Sequence, residues 1–143
     1  TLDILGDSPA SIDSRFWLGI ANANMGNIST AYEIWSEVIA IDPSYIEAHQ
    51  NLALIDEANG QIDVALERYS HVISLLETDL SSWSDGGVSR YYSDLALLQE
   101  SLIEAYVQRA SLYLLEGGLS LRDVDWERLL ELGVDPGKIS HLR

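Results

Sequence analysis

Cysteine is absent from this chain. Disulfides, thiolate zinc sites and cysteine nucleophiles are therefore excluded outright. The compartment is not fixed by this, because cysteine-free proteins work in reducing and in oxidising surroundings. Cations are scarce: Lys+Arg is 8 against Asp+Glu 23, a formal charge of −15. Nucleic-acid binding needs cations to neutralise phosphates, so nucleic acid is set aside as a partner. An anionic membrane surface repels such a chain as well. No apolar run approaches the ~18 residues that a membrane span requires, so no direct membrane insertion is expected. A charged-then-apolar leader is also missing, but the chain opens TLDILG without Met and nothing about export follows. The expectation is a soluble chain, with the cytoplasm as preferred compartment.

What is present is apolar enough to fold. Hydrophobic residues make up 47%, the share of an ordinary globular chain and too high for a disordered one. The three prolines leave room for long helices. The excess of carboxylates serves solubility or attracts a basic partner.

The stretch from Gly26 to Pro43, GNISTAYEIWSEVIAIDP, recurs. A shift of 34 residues takes Gly26 to Gly60, Ala31 to Ala65, Trp35 to Tyr69 and Val38 to Val72. The reverse shift takes Pro43 to Pro9 and Ile39 to Leu5. A fixed period of this length marks a stacked array of small units.

Residues 1–10 read as the end of a preceding helix or an N-terminal arm, with Leu2, Ile4 and Leu5 apolar. Repeat 1 covers 11–45. Phe16, Trp17, Ile20 and Ala21 lie at helical spacing, and Gly19 among them suits close approach of a neighbouring helix. Met25-Gly26-Asn27 ends that helix, and Asn27 or Ser29 can cap the next, which carries Ala31, Ile34, Trp35, Val38 and Ile39. Repeat 2 covers 46–79. It opens with Ser44-Tyr45-Ile46-Glu47, read as a capping box, turns at Asn59-Gly60 and ends near Glu77. Residues 80–102 form an insertion, a polar loop LSSWSDGGVS followed by a helix extension starting near Ser89. A degenerate repeat 3 spans 103–136 and a tail 137–143, all in one domain. In repeat 3 the shift is 57: Ala53 goes to Ala110, Gly60 to Gly117, Tyr69 to Trp126 and Val72 to Leu129, while Ala65 falls on Arg122.

These residues resemble the tetratricopeptide repeat family, on Leu18-Gly19, Gly26, Ala31, Trp35, Val38 and Pro43, then Leu52-Ala53, Gly60, Ala65 and Tyr69. The third unit carries only Ala110, Gly117 and Trp126. The resemblance implies an all-α fold, a right-handed superhelical stack of antiparallel helix pairs. Physically, each pair has an apolar face too large to bury alone, and stacking covers it. Gly19, Ala31, Ala53, Ala65 and Ala110 are the small contact positions; Trp35, Tyr69 and Trp126 fill the space between layers.

The resemblance also implies that a protein or peptide lies along the concave surface. Its lining here is Asp13, Phe16, Ile20 and Asn24, then Glu47, Gln50, Leu54 and Glu57, then Glu104, Val107, Ser111 and Leu114. Family members that grip a terminal carboxylate use lysine and asparagine on this face. Phe16 and Ile20 replace them, Asn51 alone fits, and Glu104 and Gln108 stand where cations are expected, so that function is rejected. A basic or amphipathic partner suits the surface. The alternatives are a structural subunit or assembly factor using the insertion and convex face, and an accessory domain of an enzyme outside this fragment. Trp83 is a plug or an exposed anchor, and Tyr91 and Tyr92 touch a partner or cap the array. Exposed end helices allow a homodimer.

No enzyme signature and no cofactor is expected. His49, His71 and His141 lack metal-ligand spacing, and Glu67 with His71 is too little for a site. Asp123-x-Asp125-x-Glu127 echoes a calcium loop without its glycine. Asn27-Ile28-Ser29 is a glycosylation triplet, meaningful only in a secreted eukaryotic chain.

Overall fold

A computed structural model describes residues 9–87 and 89–143. Those residues form helices and turns only. The elements are α1 (Pro9–Asn24), α2 (Ile28–Ile41), α3 (Ile46–Ala58), α4 (Ile62–Ser84), α5 (Leu95–Leu115) and α6 (Leu119–Glu131), then a 3-10 helix (Pro136–Leu142). Successive helices pack as neighbours: α1 on α2, α2 on α3, α5 on α6, and the 3-10 helix on α5 and α6. No described helix is long and apolar enough to cross a membrane. The chain divides into two compact units, 1–68 and 69–143, with the boundary inside α4. The expected preceding helix end at Leu2, Ile4 and Leu5 lies outside the described residues. Pro9 and Ala10 are already the start of α1.

In the first unit the turn between α1 and α2 is built on Gly26, at φ 84°. Its amide donates to Ala23 O, and the Asn27 amide reaches back to Asn22 O at 2.8 Å. This pair of bonds satisfies carbonyls that a helix end leaves open, and only a left-handed residue permits it. Gly60 repeats the geometry after α3, with Gln61 N donating to Asp56 O at 2.7 Å. Asp42 ends α2 in extended backbone (φ −127°, ψ 93°), as a residue before proline must.

Gly19 has the role its place suggests. A Cβ there would lie 2.3 Å from Trp35 Nε1. The bare backbone lets the indole in, and Trp35 Nε1–H donates to Phe16 O at 3.1 Å. Around this contact Ile12, Phe16, Ala31, Val38, Ala48 and Leu52 close a buried core.

The expected capping box does not form. Tyr45, not Ser44, is the N-cap of α3, and no side chain caps it. Ser44 is held one residue too early, its amide donating to Asp42 Oδ1 at 3.0 Å. Glu47 then falls on the second helical residue, out of reach of box geometry. Asn27 is the N-cap of α2, likewise without a side-chain bond.

The second unit differs from expectation at its entrance. α4 does not end near Glu77 but runs to Ser84. No residue between 77 and 84 takes a positive φ; the first that does is Gly86, at φ 88°. Trp83 therefore sits in the last turn of α4, half-buried, and not in a loop. The helix expected from Ser89 begins at Leu95, because Asp94 caps it by accepting from Leu97 N at 2.9 Å. Ser89 is instead tied to α4. Its hydroxyl donates to the buried Asp79, which also accepts Arg90 N at 2.8 Å. Tyr91 and Tyr92 are half-buried, and Tyr92 OH donates to Ser101 Oγ at 2.7 Å. Tyr69, Leu76, Leu98, Leu102, Leu112 and Leu129 are fully buried in this unit. Ile139 and Leu142 of the 3-10 helix complete the core, and the Arg143 guanidinium lies 4.9 Å from the Trp126 ring.

Candidate interaction surface

The eight positions expected to pack helix on helix are Gly19, Ala31, Trp35, Ala53, Ala65, Tyr69, Ala110 and Trp126. All are buried. The residues expected to line a partner surface divide three ways. Asp13, Asn24, Glu47 and Leu54 are exposed in the first unit, Leu54 by 48%. Ile20, Gln50 and Glu57 are half-buried. Phe16 is a correction: it is 5% exposed and belongs to the core. Its ring is walled by Tyr45 at 5.1 Å and Trp35 at 6.1 Å between centroids. The following residue, Trp17, is 64% exposed instead, with Met25 at 68% beyond it. Among its described side chains α1 buries residues 11, 12, 15, 16 and 19, the spacing of a single inward stripe. In the second unit Glu104 is exposed, while Val107, Ser111 and Leu114 are half-buried.

Two contacts bring the α1 and α3 residues of the first unit together. Phe16 packs on Tyr45, and Tyr45 OH donates to Asp13 Oδ1 at 2.6 Å. Burial, and then the Asp13 carboxylate, push the Tyr45 phenol well above its ordinary range. It stays a neutral donor at any physiological pH.

The charge of this unit is one-sided. Residues 1–68 hold eleven carboxylates and two arginines. Neither arginine offers its charge to solvent. Arg15 is 5% exposed. Arg68 donates from Nε to Asp56 Oδ2 at 2.7 Å, with 17% of its side chain exposed. Tyr32 OH donates to the other oxygen, Asp56 Oδ1, at 2.7 Å. Burial and the Asp56 carboxylate raise the Tyr32 pKa, with Arg68 pulling it back. Among the described residues of this unit, every exposed charge is a carboxylate: Asp13, Glu33, Glu37, Glu47, Asp63 and Glu67.

Comparable pairs hold the second unit. Arg109 grips Asp125 with two bonds, Nε to Oδ2 at 2.9 Å and Nη2 to Oδ1 at 2.6 Å, and reaches Ser70 Oγ at 3.1 Å. Burial pulls the Arg109 pKa down, but Asp125 outweighs it and the net shift is upward. Asp125 is 1% exposed. The acidic triplet on α6 is thus no calcium loop, since its central carboxylate is used by an arginine and Asp123 pairs with Arg122. Arg128 binds Glu77 at 2.8 Å, which raises its pKa further. No group of three or more metal-ligating side chains occurs among the described residues.

Sequence reasoning missed these pairs, although a signal exists for one. Arg109 and Asp125 each lie eight residues from Gly117. In a tight helical hairpin, residues equally far from the turn lie at the same height and can meet.

No protein-family model matches the chain. Among curated proteins it is similar to the TPR repeat-containing protein MJ1428 of Methanocaldococcus jannaschii, 28% identical over 67 residues. That similarity covers 46% of this chain and 12% of the relative, so the chain matches about an eighth of that protein's length.

Proposed function

On the premise that this chain is built of tetratricopeptide-type helix hairpins, we propose that it is a protein-interaction module whose α1/α3 face takes a basic or amphipathic segment of a partner protein. The observation that supports this is the first unit's charge: among its described residues the exposed charged groups are all carboxylates, Arg15 is buried and Arg68 is paired with Asp56. Such a field steers and selects cationic partners. Leu54 supplies the apolar contact at the centre, between Gln50 and Glu57 on α3, with Ile20 and Asn24 offered from α1. In the second unit, taken by itself, Glu104 is exposed and Val107 half-buried. The role is that of a binding module rather than a catalyst.

The test is titration with a synthetic amphipathic helix of lysine and leucine, followed by calorimetry. Binding is expected at low ionic strength and should weaken as salt is raised. Leu54→Ser should weaken it about tenfold or more, since burying a leucine is worth about 1.5–3 kcal/mol. No heat of binding at low salt, from a correctly folded protein, overturns the reading.

A further inference from the structure

We infer that the first unit carries a dedicated cleft for a single lysine side chain of its partner, at the junction of α2 with the α3–α4 turn. This rests on the basic-partner reading above but places the charge recognition elsewhere, away from the α1/α3 face. The cleft has a volume of about 390 Å³ and is lined by residues 28 to 61 of this unit. At the low end of small-molecule pocket sizes, it holds one or two side chains better than a free ligand.

Its walls and rim differ in a way that matches lysine. The walls are Ile28, 45% exposed, and the half-buried Ile55. Tyr32 and Asp56 also line the cleft. The Tyr32 hydroxyl is committed to Asp56, and the Asp56 carboxylate is neutralised by Arg68 at 2.7 Å. This Tyr32–Asp56–Arg68 group is therefore electrically balanced. It has no free charge of its own. At the rim Glu33 is exposed and forms no ion pair among the described residues. Asn59 and Gln61 also line the cleft, are exposed, and add amide oxygens. A four-carbon stem fits apolar walls, while its ammonium needs water, a carboxylate and neutral acceptors at the mouth. Tyr32 adds attraction for a cation held near its ring. An anionic side chain would meet Glu33, and a plain aliphatic one would leave Glu33 and the amides without a partner.

The experiment uses the full chain with hexalysine peptide as probe, titrated at low ionic strength. Two charge reversals of equal size separate the cleft from the general field: Glu33→Lys at its rim and Glu47→Lys on the α1/α3 face. Both positions are exposed, so folding is expected to survive, and circular dichroism checks it. Glu33→Lys should weaken hexalysine about tenfold more than Glu47→Lys. Acetylating the lysines should abolish binding. Equal losses in the two variants overturn the cleft alone and leave the basic-partner reading standing; undiminished binding of the acetylated peptide overturns both. If hexalysine fails to bind the unsubstituted protein while the lysine–leucine helix binds, the cleft fails; if neither binds, both readings fail together.

Discussion

Replacing Gly19 by alanine sets two effects of opposite sign against each other. Within a helix, alanine is favoured over glycine by about 1 kcal/mol, so propensity alone forecasts a more stable protein. The geometry forecasts the reverse. The new methyl would stand 2.3 Å from Trp35 Nε1 and 2.8 Å from two further indole atoms. The indole is only 3% exposed and cannot swing into water. Moving it strains the core, at about 1–3 kcal/mol for overpacking, and stretches the 3.1 Å bond to Phe16 O, about 1–3 kcal/mol if a buried partner is stranded. Subtracting the propensity gain leaves a net loss of about 1–5 kcal/mol. Urea unfolding followed by far-UV circular dichroism and tryptophan fluorescence reads it directly. A second background sharpens the result: with Trp35→Leu already present, Gly19→Ala should be neutral or stabilising, a coupling that a double-mutant cycle isolates. An unchanged or raised midpoint for Gly19→Ala alone would refute the close-contact account.

Other outcomes follow from the buried polar groups. Asp125→Ala strands the Arg109 guanidinium and should cost about 3 kcal/mol, the low end for a broken buried pair because Arg109 is partly exposed; Arg109→Met with Asp125→Leu should cost less than that single change, by the same urea assay. Burial, then the Glu77 carboxylate, hold the Tyr106 phenol up to about 12, above its ordinary 10. The unfolded chain therefore releases this proton first as pH rises, and stability should fall between about pH 10 and 12. Tyr106→Phe should make that fall shallower in unfolding midpoints taken across the range.

The parts of this fold that were legible in the sequence are those set by backbone rules. Gly26, Gly60 and Gly117 each mark a turn because a left-handed residue is required there, and Asp42-Pro43 stops α2 because proline restrains its predecessor. The partnership of Gly19 with a bulky neighbour could be anticipated from size alone. What could not be read depends on how each helix is rotated about its axis. Phe16 and Trp17 are adjacent, aromatic and only ~100° apart around α1, so periodicity admitted both to one face, and only the packed core separates them. The salt links from Arg68 and Arg109 were hidden for a related reason, since their carboxylates arrive on a different helix. Ser44 illustrates a third kind of failure: a capping pattern in the right order loses to an Asp42 turn displaced by one residue.

Backbone punctuation, Asp42-Pro43 after α2 and a left-handed glycine after α4, decides how far each rod extends more than any apolar rhythm does. α2 is 14 residues long and α4 is 23, although both start one residue after the same glycine–polar pair. The longer one merely waits for Gly86. Relocating one such glycine by a turn or two is then a modest genetic change that lengthens or trims a strut without rewriting its inward side, and a linear array can acquire an elaboration like residues 80–94 in that way.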